Sequence, residues 1–203
     1  MKLKVFISSV QKELQVERRA LKDYIYGDPL LGRFFKVFLF EDLPAGDRRA
    51  DDVYMEEVER CDVYVGLFGM GYGKEDSEGF SPTEREFDRA TEKGKTRLVF
   101  VKGSEDKGRH PKMMKLVQKA GSQLIRRRFN DVPDLTTALY ASLLECLEKT
   151  GKLQTLPFDA SACPLAGMKD ISSKKLRWFL ETARRERNIP CRRKPLREKR
   201  WPT

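Results

Sequence analysis

Two glutamates stand one residue apart in the stretch G-F-S-P-T-E-R-E-F-D-R-A-T-E-K-G-K, from Gly79 to Lys95. A carboxylate can bind sugar hydroxyls, carry a proton or attack an electrophilic carbon, provided the fold takes it partly out of water. Glu84 has a structural use that needs none of this. Ser81 at the N-cap, Pro82 at the first helical position and Glu84 at the third make a capping box, with Glu84 folding back onto the Ser81 amide. Glu86 falls outside that box. Ala90 follows it on the same helical face, Phe87 beside it is an apolar anchor, and Thr83 precedes it by about one turn. Two readings of Glu86 stand: a site carboxylate, or a surface glutamate paired with Arg85, Arg89 or Lys93.

Other residues could complete a site around Glu86. The run G-M-G-Y-G contains Gly69, Gly71 and Tyr72. It is not a dinucleotide fingerprint, since no G-x-G-x-x-G opens a helix after the first strand, and it lacks the Lys-Ser/Thr of a P-loop. It reads as a flexible lid, with Tyr72 either stacked on a ligand ring or packed on the protein's own surface. Ser8 and Ser9 could donate to a phosphate at the next helix N-terminus, or could simply start that helix. The candidate set is Glu86 as the catalytic carboxylate, with Ser8, Ser9, Gly69, Gly71, Tyr72 and Thr83 as ligand-binding residues. No metal site is expected. Cys61, Cys146, Cys163 and Cys191 are far apart and His110 is the only histidine, so reduced structural cysteines are the expectation. A Cys–His pair would need His110, which sits in the loop K-G-S-E-D-K-G-R-H-P and reads more simply as solvated. No motif implies a cofactor.

These residues need a scaffold. Short apolar runs alternate with amphipathic stretches: strands over Leu3 to Ile7, Lys36 to Phe40, Asp62 to Phe68 and Arg97 to Val101, and a weaker one within Q-L-I-R-R-R-F. Helices are expected from Glu13 to Ile25, Asp51 to Arg60, Ser81 to Lys93, Pro111 to Ala120 and about Val132 to Lys149. Five strand–helix alternations with nearly continuous apolar strands predict a parallel sheet with helices on both faces. A ligand site then lies beyond the carboxyl ends of the strands, where Ser8-Ser9 and G-M-G-Y-G fall.

Charge divides the chain. Residues 151–203 carry 14 Lys and Arg against 5 Asp and Glu, a net +9, and the first 150 carry 27 against 26, of a total +10. The expected organisation is an α/β domain over 1–150 and a basic connector and helix over 151–203, partly disordered. In the basic part, Arg184, Arg185, Arg192, Arg193 and Lys194 could neutralise phosphates without sequence preference, and Trp201 could stack on a base. A solvated tail is the competing reading. No window has the roughly 18 apolar residues of a membrane span, and M-K-L-K-V-F-I-S-S-V runs directly into charge rather than forming a signal peptide. The expectation is a cytoplasmic protein with no membrane partner.

The segments V-F-I-S-S-V, R-C-D-V-Y-V-G-L-F-G-M-G-Y-G and S-P-T-E-R-E-F-D-R-A-x-x-K-G-K together resemble a bacterial family classed as a domain of unknown function, over about Met1 to Lys149. That family is distantly similar to TIR domains and to nucleoside deoxyribosyltransferases. The resemblance implies a flavodoxin-like, TIR-like fold. In deoxyribosyltransferases the nucleophile is a glutamate four residues before an alanine, a spacing that Glu86 and Ala90 share. In enzymatic TIR domains a glutamate on the helix after the third strand is needed to cleave NAD, and Glu86 occupies that element. The Asp and Gly-Thr that precede the deoxyribosyltransferase glutamate are replaced here by G-F-S-P-T-E-R-E. The segment F-D-A-S-A-C-P-L-A-G-M-K-D-I-S-S-K-K-L-R-W-F-L-E is similar to the connector after the AlbA-type domain of RecG-like regulators.

Two functions of different class follow. One is a sensing or interaction module of a bacterial signalling or defence-type regulator, binding a nucleotide or NAD-like ligand and associating with itself or a protein partner. The other is an N-glycosidic-bond enzyme acting on NAD or a nucleoside through Glu86.

Overall fold

The computed structural model describes residues 1–44, 47 and 50–153. Strands β1 (Leu3–Ser9), β2 (Phe35–Phe38), β3 (Val63–Phe68), β4 (Thr96–Lys102) and β5 (Arg126–Phe129) form one parallel sheet in the order β2-β1-β3-β4-β5. This is the flavodoxin-like strand order. Helices α1 (Gln15–Gly27), α2 (Leu31–Phe34), α3 (Ala50–Arg60), α4 (Pro82–Glu92), α5 (Pro111–Gln123) and α6 (Val132–Lys149) join the strands. The expected basic connector and helix, with Arg184, Arg185, Arg192, Arg193, Lys194 and Trp201, lie outside the described residues.

Alternation along each strand builds two cores. Val5, Ile7, Val63, Val65 and Leu67 face α1 and α6, while Phe6, Tyr64, Phe68, Val99 and Val101 face α3, α4 and α5. β3 is buried at every position, which is why its sequence reads as an unbroken apolar run. Burying each large side chain contributes about 1.5–3 kcal/mol.

Local chemistry sets the ends of the elements. Helix α4 begins at the Ser81 cap, whose Oγ accepts from the Glu84 amide at 3.3 Å. It ends in a Schellman turn: Gly94 takes φ +60° and the Lys95 amide donates to the Ala90 carbonyl at 2.9 Å. Three details differ from the sequence reading. α1 starts at Gln15, leaving Glu13 in the preceding turn. β2 leaves the sheet after Phe38, its last pairing with β1, and turns into a 3-10 segment, Phe40–Asp42. The short α2 was not expected; Asp28 Oδ1 nucleates it by accepting from the Leu30 and Leu31 amides at 2.9 and 2.8 Å.

Candidate functional site

The strand order reverses at β1, so the crevice of this sheet opens between the loops that follow β1 and β3. In that register Ser8 lies opposite Gly66 and Ser9 opposite Leu67. Ser8 follows Phe6 on the α4 face and Ser9 follows Ile7 on the α1 face, so the two adjacent serines serve different sides of the sheet.

On the α4 face, Glu86 points inward. It is 3% exposed, on the same helical side as Thr83, Phe87 and Ala90. Phe87 packs edge-on to Tyr64 and Phe68 with centroids 6.2 and 5.9 Å away, and this fixes the helix rotation that buries Glu86. The surface pairings open to Glu86 in the sequence are taken by others. Arg85 pairs with Asp76 and Glu78, Arg89 with Glu59 and Glu92, and Lys93 with Glu59.

Burial disfavours the Glu86 carboxylate and pushes its pKa up to about 7; the nearby Ser8 hydroxyl and the Arg18 charge hold it from going higher. Ser8 Oγ and Tyr64 OH are both buried and make no hydrogen bond of normal geometry. They still belong to one electrostatic group: burial first, then the Glu86 charge, raises the Tyr64 phenol well above its usual range, and Ser8 opposes this. A carboxyl poised between charge states and two buried hydroxyls therefore converge at the end of β1, with Ser8 placed to act on both Glu86 and Tyr64.

Tyr54 of α3 walls this group. Burial and the Glu86 charge raise its hydroxyl to about 12. Its ring stacks on Phe40 at 4.3 Å and its hydroxyl accepts from Gln11 at 2.6 Å. Tyr54 also lines an open cleft of about 940 Å³ between α3 and α4, bounded by Phe80, Arg85 and Arg89. Glu86 is on the opposite, sheet-facing side of α4.

On the α1 face, Ser9 Oγ accepts from Arg18 at 3.3 Å. Arg18 is 2% exposed, grips Glu41 through two hydrogen bonds of 2.7 and 2.8 Å, and donates to the Ile7 carbonyl at 2.8 Å. Burial is the largest single influence on Glu41 and opposes its ionisation, but the Arg18 hydrogen bonds, a backbone hydrogen bond and the Arg18 and Arg19 charges together hold the carboxyl below its usual range.

The glycine run goes elsewhere. The Met70 and Gly71 amides both donate to the Glu13 carboxylate, at 2.5 and 2.9 Å, and a methyl at Gly69 would overlap that carboxylate. Tyr72 is 3% exposed. Its hydroxyl accepts from the Ser81 amide at 3.2 Å and donates to Glu84 at 2.5 Å, and its ring stacks on His110 at 5.6 Å. The capping box expected for Ser81 and Glu84 is thus bridged through a phenol: Glu84 reaches the Ser81 amide only by way of Tyr72. His110, expected as a solvated loop residue, is exposed and caps α5, accepting from the Lys112 amide at 3.3 Å.

The structure therefore brings Ser8 and Glu86 together and adds Thr83 on the same helix face; Ser9 faces α1, Gly69 and Gly71 meet Glu13, and Tyr72 meets Ser81 and Glu84. Arg18, Tyr64 and Glu13 escaped the sequence reading. Arg18 had a signal: it lies among Leu14, Leu21 and Ile25 on a stripe that is otherwise apolar. Tyr64 was visible only as a hydroxyl in a fully apolar strand. Among the described residues, no helix is long and apolar enough to cross a membrane, and no group of three or more metal-binding side chains forms.

Similarity to known proteins adds the family. No curated protein matches the chain. Solved structures that resemble it include the CMP N-glycosidase BcmB of Clostridium botulinum, at 11% identity and TM-score 0.45, covering 68% of this chain and 98% of that one. The TIR domains of the activated Roq1 resistosome match at 10% identity and TM-score 0.40, covering 90% and 99%. Flavodoxin 1 of Bacillus cereus matches at 15% identity and TM-score 0.35, covering 74% and 97%. At these identities and scores none of the likenesses bears on the site. The model of the domain of unknown function DUF4062 matches residues 4–144, and the chain belongs to that family.

Proposed function

We propose that this domain is a ligand-sensing module of a bacterial signalling or defence-type regulator, and that it takes the sugar of a nucleoside- or nucleotide-like ligand beyond the carboxyl ends of β1 and β3. The observation that carries this reading is the convergence of Glu86 with the buried hydroxyls of Ser8 and Tyr64, neither of which makes a hydrogen bond of normal geometry. Buried hydroxyls without partners are costly unless something polar completes them. A ribose, with adjacent hydroxyls that both donate and accept, matches two hydroxyls and a carboxyl. Tyr54, held by Gln11, walls this group, and a ligand entering past it would break that hydrogen bond. Self-association or a protein partner would transmit the bound state.

A second reading is favoured by one specific observation, the position of the Glu86 pKa near 7. An ionised Glu86 could attack the anomeric carbon as the C–N bond breaks, the bonding pair leaving with the base: nicotinamide departs neutral from its pyridinium form, and a nucleoside base takes a proton from water. The covalent ester then passes to water or another acceptor. That is N-glycosidic-bond chemistry on NAD or a nucleoside.

One experiment separates the two. The protein and Glu86→Gln are incubated with NAD and a nucleoside panel. Released base is measured by chromatography and binding by calorimetry. Binding that weakens in Glu86→Gln without base release supports the sensing module, and base release that vanishes in the variant establishes the enzyme. Absence of both binding and release in the unmodified protein overturns both.

A further inference from the structure

The loop after β3 has a polarity of its own. Its carbonyls turn one way. Phe68 O and Gly69 O both accept from the buried Arg109 guanidinium, and Met70 O accepts from the His110 amide at 2.8 Å. Arg109 is 4% exposed and also donates to the Lys102 carbonyl at 2.7 Å, so the loop is bound to the end of β4 through a fixed cation. The next two amides therefore turn the other way. Met70 N and Gly71 N converge on a single anion, the Glu13 carboxylate, at 2.5 and 2.9 Å. Successive N–H groups aimed at one point form an anion-binding nest. Gly69 has no side chain where that anion sits; a methyl there would occupy the same space.

The anion that fills the nest comes from the other wall of the crevice. Glu13 belongs to the turn between β1 and α1, and the nest to the loop between β3 and α4. These are the two loops that flank the switch point of the sheet. Glu13, Met70 and Gly71 are all partly exposed, so the contact is open to exchange with a dissolved anion. Two amides on a full carboxylate match a phosphate oxygen in both charge and geometry.

We propose that the Met70–Gly71 nest is a phosphate-binding element of the ligand site, and that Glu13 occupies it as an internal competitor holding the crevice shut. The proposal deepens the ligand-site reading above by giving that ligand a phosphate end. When a phosphate displaces Glu13, the two loops are released from each other, and binding is thereby coupled to a change in the β1–α1 turn.

The test uses inorganic pyrophosphate as the probe and calorimetry at low salt as the readout. Glu13→Ala empties the nest. Glu13→Gln keeps the side-chain shape but removes the charge, and decides the matter if the alanine variant fails to fold. Asp23→Asn, on the exposed side of α1, changes the net charge by the same amount and serves as the control. The expected result is pyrophosphate binding at least about tenfold tighter in both Glu13 variants than in the unmodified protein, a gain the size of one lost charged hydrogen bond. The Asp23 variant should be unchanged, and pyrophosphate should shift the Met70 and Gly71 amide resonances. Folded Glu13 variants that bind no tighter than Asp23→Asn, or shifts confined to other residues, overturn the proposal. Glu86 is not varied here, so failure of the ribose reading and failure of the nest are distinguishable.

Discussion

Tyr64 lies back across Gly66, two positions further along its own strand. A methyl at Gly66 would sit 3.0 Å from Tyr64 Cε1, 3.1 Å from Phe68 Cε1 and 3.4 Å from the Tyr64 hydroxyl. The glycine makes room for the ring, and the ring carries a hydroxyl to the end of the strand. Gly66→Ala should therefore cost about 1–3 kcal/mol, as overpacking of a full core does. Tyr64→Phe should be as stable as the unmodified protein or more so, because it removes a buried hydroxyl that lacks a normal partner. Urea denaturation of both variants checks this, and ligand binding should fall in both.

Glu86 makes the fold pH-sensitive in a definite direction. Its folded pKa near 7 lies above the ordinary glutamate value of 4.5, so the folded state holds the proton more tightly than the unfolded chain. The stabilisation this gives is complete below about pH 4.5 and is lost as pH rises to about 7. Glu86→Gln lacks that dependence. Relative to the unmodified protein it should gain about 3 kcal/mol on going from pH 4.5 to pH 8. Urea midpoints of both proteins at the two pH values measure the difference; parallel pH profiles would show Glu86 to be solvated.

The Tyr72 hydroxyl is the middle of a three-member chain, from the Ser81 amide to Glu84. Tyr72→Phe leaves the amide and the carboxyl without their shared partner, at a cost of about 1–3 kcal/mol. Hydrogen exchange should accelerate first at Ser81 and the opening turn of α4, ahead of the sheet.

Glu41, held by Arg18, titrates with the opposite sign to Glu86. Glu41 is held below its usual range, so its contribution is present at neutral pH and disappears as pH falls through that lowered value. Arg18→Met leaves the Ile7 carbonyl and Ser9 without their buried donor and frees Glu41, and should cost about 1–3 kcal/mol at neutral pH. A double-mutant cycle with Glu41→Gln should recover part of that cost. The same variant should raise the Glu86 pKa further, since Arg18 is one of the charges that lowers it.

The alternation of strands and helices was legible because it depends on local period: V-F-I and V-Y-V-G-L-F cannot be amphipathic helices, and the stripe of Glu13 to Ile25 cannot be a strand. Glu86 was legible as a site candidate for a similar reason, since a capping box explains Glu84 and leaves its neighbour unexplained. What stayed hidden depends on register between distant segments. Ser8 meets Gly66 across 58 positions only through the β1–β3 pairing, and that pairing places Tyr64 beside Glu86. Glu13 was read as the first residue of a helix; the turn of Val10 to Leu14 excludes it from α1 and frees its carboxylate for the nest. Tyr72 stood open between a ligand ring and the protein's own surface; it packs against α4 and His110, a choice that nothing in G-M-G-Y-G makes.

The two outer strands of the sheet are short and positively charged. β2 offers Lys36 to solvent, and β5 is three arginines and a phenylalanine, with Arg127 largely exposed. A second sheet docking edge-on would set like charges directly opposite one another. Polymerisation by strand addition is thereby discouraged at both margins of the sheet, so the exposed backbone of β2 and β5 is guarded by charge rather than by a covering element.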